Sequence, residues 1–127
     1  MAQKFYELDI WLKGHELLME IYEITSDFPS EEKFSLSSQI IRSANGIIAG
    51  IAESHGRYHY ADKVRILYIA RGELEETQSH LRVAFGRKYI TREKLDFLDG
   101  EYEGLKMGIN KYIQSLNNQK MQKEIKR

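Results

Sequence analysis

The sequence predicts an all-α fold in which four long amphipathic helices form an antiparallel up-down bundle. Apolar residues recur three and four positions apart in four successive stretches, the spacing that gathers them on one face of a helix. Among 127 residues there is a single proline, Pro29, so little interrupts a helix. A chain of this length can bury a core as one domain, and it contains no cysteine for a disulfide or a thiolate metal site.

Each predicted helix is bounded by residues that favour helix ends. Asp9, Ser35 and Thr91 precede apolar stripes, where an N-cap oxygen can accept a hydrogen bond from a free backbone N–H. Gly56 and Gly86 follow stripes, where glycine commonly ends a helix. The short connections after the second and third helices make those neighbours antiparallel. The predicted helices span residues about 9–27, 35–54, 58–85 and 91–117.

The apolar stripes predict which side chains form the core. The first helix carries two apolar lines that make a wide stripe, and the second has one broad apolar face. The segment 28–34 between them breaks the pattern and predicts an ordered loop. The stripes are Trp11, His15, Leu18, Tyr22 and Thr25 together with Ile10, Leu17, Ile21 and Ile24; Leu36, Ile40, Ile41, Ala44, Ile47, Ile48 and Ile51; Tyr60, Val64, Leu67, Tyr68, Leu74, Gln78, Leu81 and Phe85; and Leu95, Leu98, Tyr102, Leu105, Ile109, Tyr112, Ile113 and Leu116.

The two ends of the chain predict its order and its location. The bundle is expected to occupy residues 1–116, followed at 117–127 by a basic tail that frays or is disordered. The first residues lack the apolar stretch of a signal peptide. The longest apolar run, residues 47–52, is far shorter than the roughly 20 residues that span a membrane. We therefore expect a cytoplasmic protein that makes no membrane contact.

The net charge is zero, but it is unevenly distributed along the chain. Residues 1–34 hold three lysines against eight acids, whereas residues 35–90 hold eight basic residues against five acids. This balance argues against a large basic surface for nucleic-acid binding. An acidic first helix and a basic remainder can complement each other within one chain or between neighbouring copies.

Two stretches of the chain carry a family resemblance. They are residues 39–57, with QIIRSA, GIIAGIAE and GR, and residues 67–76, LYIARGELEE. With Trp11 and Phe28–Pro29, they resemble the four-helix-bundle family of 23S ribosomal RNA intervening-sequence proteins over about residues 8–116. This chain departs from the family pattern at three positions, so any role of the family's asparagine at position 50 does not carry over. The departures are Gly50 for the usual Asn, Ser54 for Gly and Glu73 for a small Ser.

The resemblance implies a left-handed up-down bundle in a bacterial protein, assembled as a cyclic homo-oligomer with five copies known among relatives. It also implies distant kinship with accessory proteins of diversity-generating retroelements, which contact nucleic acid and a reverse transcriptase. Most members of the family have no assigned biochemical activity.

The histidines offer the only alternative that involves a metal. His55 and His59 lie four positions apart and would need Glu53 as a third ligand. Gly56 between them argues against a continuous helix, so two solvated histidines in a loop are the favoured interpretation. Zinc-protease, di-iron and nucleophile-elbow motifs are missing, as is the Arg–His spacing of helical-bundle ribonucleases. We expect no enzyme activity, no metal and no cofactor.

Glycines inside the predicted helices indicate close helix packing. Gly46 and Gly50 lie one turn apart, and glycine costs about 1 kcal/mol relative to alanine in a helix interior. Their neighbour can be another helix of the same bundle or another subunit. Gly72 in the third helix is a further helix-packing or interface residue.

The basic residues of the second and third helices allow two interpretations. Arg71 interrupts an apolar line four positions before Glu75, which favours an ion-pair network. A turn at His55–Gly56 would also place Arg42 at the level of Arg71. The alternative is a basic surface that meets phosphate, with Tyr58 and Tyr60 available to stack on unpaired bases. This surface would consist of Arg42, Arg57, Lys63, Arg65 and Arg71.

These observations leave three hypotheses for function. The first is a non-enzymatic homo-oligomeric assembly protein. The second is an RNA- or DNA-binding accessory protein that repeats a weak basic patch across its copies. The third is a scaffold for one specific protein partner, captured through the tail.

Overall fold

The computed structural model describes residues 3–126 and contains four α-helices, in agreement with the predicted all-α class. Two single 3₁₀ turns, Phe5–Glu7 and Ser30–Glu32, precede the first and second helices, and the described residues include no strand. The helices are α1 (Asp9–Thr25), α2 (Leu36–Gly56), α3 (Tyr60–Gly86) and α4 (Arg92–Lys126).

The helices surround one apolar core in chain order. Each helix contacts the next and α4 contacts α1, whereas no Cα atoms of α1 and α3, or of α2 and α4, lie within 8 Å of one another in the described residues. Diagonal helices therefore lie on opposite sides of the molecule. Side chains that are completely buried come from every helix, and they include Ile21, Ile47, Leu74 and Tyr102.

Contacts between neighbouring helices pair rising residue numbers on one helix with falling numbers on the other. Between α2 and α3, the hydroxyls of Ser43 and Thr77 form a hydrogen bond, and the Ser54 hydroxyl donates one to the Lys63 backbone oxygen. Arg82 and Arg71 of α3 bond Asp99 and Asn110 of α4, respectively. Ion pairs between α1 and α4 join Lys13 to Glu101 and Glu20 to Lys94.

The helix N-termini are held differently from the prediction in two cases. Asp9 is the first residue of α1 rather than its cap, a position where a carboxylate still interacts favourably with the helix dipole. Ser35 is the N-cap of α2, but its side chain makes no capping hydrogen bond. The Leu36 N–H instead donates to Glu32 at 3.4 Å. Thr91 caps α4 as predicted, accepting a hydrogen bond from the Lys94 N–H at 3.1 Å.

The predicted disordered tail differs from the structure, which continues α4 through Lys126. Residues 117–126 are exposed, and they contain neither glycine nor proline, so local propensity favours a helix without burial. The ammonium group of Lys123 lies 5.3 Å from the ring centre of Tyr60, which ties this extension to the start of α3. Arg127 lies outside the described residues. No described helix is both long and apolar enough to cross a bilayer.

Candidate functional site

Two of the predicted phosphate-binding cations hold the end of α2. The Lys63 ammonium donates to the backbone oxygens of His55 at 2.9 Å and Ser54 at 3.3 Å. These carbonyls belong to the last turn of α2, which a positive charge stabilises. Desolvation lowers the pKa of Lys63 from its ordinary value. Arg57 pairs with Glu53 at 2.7 Å on the surface.

Arg71 does not form the predicted ion pair with Glu75. Its guanidinium donates to Asn110 of α4 at 2.7 Å and lies 4.7 Å from the ring centre of Tyr68. Glu75 instead pairs with Lys106 of α4 at 2.7 Å. Arg71 lies on the flank of α3 that meets α4, and this position favours a neighbour across the helix contact over one on the same helix.

Arg42 and Arg65 are exposed, as Arg57 is. The guanidinium of Arg65 lies 4.0 Å from the carboxylate of Asp62. Burial raises the pKa of Glu73, and the positive charge of Arg42 lowers it by a smaller amount. Since Ser43 bonds Thr77, Arg42 lies roughly two helical turns from Arg71 rather than level with it. The five cations therefore lie on different flanks of α2 and α3 rather than on one surface. Most of them contact a polar or charged group of the same chain.

Two of the three glycines of α2, Gly46 and Gly50, pack inside the chain. A Cβ atom at Gly50 would lie 2.8 Å from the Ala70 Cβ, and one at Gly46 would lie 3.1 Å from the Glu73 carboxyl carbon. Gly50 thus lets α2 and α3 approach more closely than a side chain would permit. A Cβ at Gly72 would meet nothing within 4 Å. Of the three predicted glycines, only Gly72 is free to face another molecule.

The contact between α2 and α3, which we call the seam, also holds polar groups. The hydroxyls of Ser43 and Thr77 lie 2.7 Å apart and are buried. The Glu73 carboxyl covers Gly46, and burial, followed by the neighbouring carboxyl of Glu76, raises its pKa. A hydrogen-bonded, close-packed seam of this kind has a structural role.

An open cavity of about 510 Å³ lies at one end of the bundle. It is bounded by the end of α2, the start of α3, the C-terminal part of α4 and the N-terminal segment, and we call it the end cavity. None of its lining side chains in the described chain carries a carboxylate. Its charged and aromatic lining residues are His55, Tyr58, His59, Tyr60, Lys63, Tyr112 and Lys123.

Sequence reasoning missed half of this cavity. Tyr58, Tyr60 and Lys63 belonged to the alternative interpretation as a nucleic-acid surface, but Tyr112 and Lys123 come from α4, more than 45 positions away. The signal that could have found Lys123 is the run of helix-forming residues that continues beyond Leu116. The two histidines line the cavity, and no group of three metal-ligating side chains occurs in residues 3–126.

Two exposed apolar surfaces lie on diagonal helices. The α1 band consists of Leu12, Met19 and Tyr22, whose side chains are between 45% and 49% exposed. The α3 strip consists of Ile69, Gly72 and Val83, with Ile69 56% and Val83 49% exposed. Both run along outward faces of their helices. Tyr22 was predicted to lie in an apolar line of the first helix, and Gly72 to be a packing or interface residue. The other four residues were not predicted, since periodicity alone does not separate a core residue from an apolar residue at the edge of a wide stripe.

These observations define a helical-bundle protein with a packed seam, an end cavity and two apolar outward surfaces. The family model described as 23S rRNA-intervening sequence protein matches residues 6–111. The chain therefore belongs to the 23S rRNA-intervening sequence protein family, as the resemblance implied. No curated protein matches it at a significant level.

A solved structure supports the fold. The chain is similar to a protein of unknown function from the S23 ribosomal protein family of Bacteroides thetaiotaomicron VPI-5482, whose crystal structure was determined at 1.70 Å resolution. The two are 28% identical, with a TM-score of 0.76. The match covers 83% of this chain and 95% of the other.

Proposed function

We propose that this chain is a non-enzymatic, cytoplasmic assembly protein whose antiparallel up-down bundle joins head to tail into a cyclic homo-oligomer. The observation that carries the proposal is the pair of apolar surfaces, the α1 band and the α3 strip. They lie on opposite sides of the molecule because α1 and α3 are diagonal. A contact between two different surfaces on opposite sides links copies in series, and the series closes when the rotation permits. Five copies is the number that the family resemblance implies.

Shape and charge favour this pairing of surfaces. Gly72 leaves open space beside Ile69 on the α3 strip, where a bulky side chain of the α1 band can lie. The exposed acids Glu16 and Glu23 border the α1 band, and the exposed cations Arg65 and Arg87 lie at the two ends of the α3 strip, whose middle carries the exposed acid Glu76. Burying apolar area supplies affinity, while opposite charges at the rim favour the correct orientation.

Light scattering at micromolar concentration tests the assembly. The wild-type chain is expected to have several times the mass of one chain, and Met19→Glu or Ile69→Glu is expected to reduce it. Met107→Glu is the matched control, because Met107 is 60% exposed on α4, outside both surfaces. A wild-type mass equal to that of a single chain contradicts the proposal.

A mixture of the two variants distinguishes a head-to-tail contact from a symmetric one. Met19→Glu retains an intact α3 strip and Ile69→Glu retains an intact α1 band. In a head-to-tail assembly the mixture therefore forms one-to-one dimers that neither variant forms alone. A symmetric contact, in which the same surface meets itself, predicts no such dimer.

A second candidate function is nucleic-acid binding. It is favoured by the lining of the end cavity, in which none of the described side chains carries a carboxylate. Repetition around an oligomer would multiply a weak contact. Fluorescence anisotropy with labelled single-stranded RNA, duplex RNA and duplex DNA tests it, and affinity is expected to fall steeply as salt rises. Arg42→Ala/Arg65→Ala tests two of the exposed cations of the original surface. No binding near physiological salt removes this candidate and leaves a protein partner as the ligand to seek.

A further inference from the structure

We propose that the end cavity binds one nucleotide unit, with its phosphate between Lys63 and Lys123 and its base against the cavity's tyrosines. The proposal rests on the second candidate function and gives it a site other than the arginines of α2 and α3. The unit can be a free nucleotide or one residue of a single strand, because both present the same base and phosphate.

The charge of the cavity favours a phosphate. Neither Lys63 nor Lys123 forms an ion pair with a described residue, whereas Arg57 and Lys106 do. The Lys63 ammonium donates only to neutral backbone oxygens, and the Lys123 ammonium faces a tyrosine ring. Both positive charges therefore lack an anion, and a phosphate would supply charge-assisted hydrogen bonds to a partly desolvated ammonium.

The aromatic residues of the cavity favour a flat base. Tyr58 is 88% exposed at the rim, and its ring meets that of His59 edge to face at 5.0 Å. A large aromatic side chain this exposed offers a free stacking surface. Tyr60 and Tyr112 are only partly buried and line the wall beneath. Because every base has a π face, this arrangement would accept different bases.

The size of the cavity suits the same ligand. Sites for small molecules and cofactors commonly measure roughly 300–1,000 Å³ and combine apolar walls with a few placed polar groups. The end cavity, at about 510 Å³, lies within this range and is open to solvent on one side. An open side lets a strand continue out of the cavity, so the volume admits both sources of the nucleotide.

Calorimetry with adenosine 5′-monophosphate is the first test, in a buffer without phosphate. We expect saturable binding with a Kd on the order of 100 µM, and binding at least about tenfold weaker for adenosine or for inorganic phosphate alone. A labelled single-stranded RNA, measured by anisotropy, is the second probe. Tighter binding of the strand identifies nucleic acid as the source, and tighter binding of the monophosphate identifies a free nucleotide. Both of these outcomes support the cavity if the variants below weaken them.

Two variants assign the binding to the cavity without disturbing the core. Lys123→Gln and Tyr58→Leu change exposed side chains, and each is expected to weaken binding about fivefold or more. Lys120→Gln and Tyr68→Leu are the matched controls, being exposed residues of the same types outside the cavity, and should leave binding unchanged. Strand binding that neither cavity variant weakens overturns the cavity but keeps the nucleic-acid candidate. The failure of the wild-type chain to bind either probe overturns both.

Discussion

On the side of α3 that meets α2, two glycines of α2 lie against Ala70 and Glu73, whereas a Cβ at the outward Gly72 would meet nothing within 4 Å. The seam is close-packed and its buried hydroxyls are paired. The α3 strip exposes Ile69 and Val83 beside its glycine. The free-energy cost of a glycine inside a helix is thus offset by close packing within the chain at the seam, but not at the α3 strip.

This difference separates structural features from those that point to another molecule. Gly46 and Gly50, which the sequence left open between the bundle and a partner, are accounted for by α3 of the same chain. No comparable packing within the described chain explains Gly72 and the exposed apolar residues around it. These exposed apolar side chains are the ones that we propose to meet a neighbouring copy.

The largest expected effect is at the seam, in Gly50→Ala. The added Cβ would lie 2.8 Å from the Ala70 Cβ, so α2 and α3 must move apart. We expect the free energy of unfolding to fall by about 1–3 kcal/mol, measured by urea denaturation. Ala70→Gly in the same chain should restore part of the loss. If Gly50→Ala is as stable as the wild type, the helices are not in close contact.

A smaller effect concerns buried hydroxyls. Ser43 is paired with Thr77, whereas the completely buried hydroxyl of Tyr102 has no hydrogen-bond partner in residues 3–126, and burial raises its pKa far above the ordinary value. Tyr102→Phe is therefore expected to raise the free energy of unfolding by about 1 kcal/mol, and Ser43→Ala to lower it by a similar amount. Thermal unfolding of the two variants measures both. A destabilised Tyr102→Phe would show that the hydroxyl is satisfied.

Gly72→Ala sharpens the comparison on the outward side. With no atom near the new Cβ, the variant should be more stable by about 0.5–1 kcal/mol when studied below the association range. If a neighbouring copy packs on Gly72, the same change should weaken assembly at higher concentration. Urea denaturation and light scattering of one preparation separate the two effects. A less stable isolated chain would contradict the open position of Gly72.

The smallest effect is electrostatic and has opposite signs at two glutamates. Desolvation raises the pKa of Glu73, so its ionisation costs stability, and this cost appears as pH rises through that pKa. Hydrogen bonds from Gln78 and Lys106 lower the pKa of Glu103, so it contributes stability that is lost as pH falls through the folded pKa. Glu73→Gln should raise the unfolding midpoint at pH 7, and Glu103→Gln should lower it. Both changes should shrink near pH 3, and equal signs at pH 7 would refute the assignment.

The sequence predicted the helices well because their apolar periodicity is local information. It misplaced the connection after α2, where the helix includes Gly56 and Lys63 caps it from the next helix. That shift explains why Arg42 was placed beside Arg71. The partner of Arg71 was not predictable, since Asn110 lies 39 positions away. The end cavity likewise depends on α4 reaching back to α3, which local patterns do not encode.

The most direct test of the proposed assembly uses the natural absence of cysteine. Met19→Cys places one thiol in the α1 band, and Met107→Cys places one on the outward face of α4; the native methionines are 45% and 60% exposed. The rate of reaction with a thiol reagent is measured for both at high and low protein concentration. We expect the thiol at position 19 to be protected in the concentrated protein and to become reactive on dilution, while the one at position 107 reacts equally in both. Equal reactivity of the two thiols at every concentration would contradict burial of the α1 band between copies.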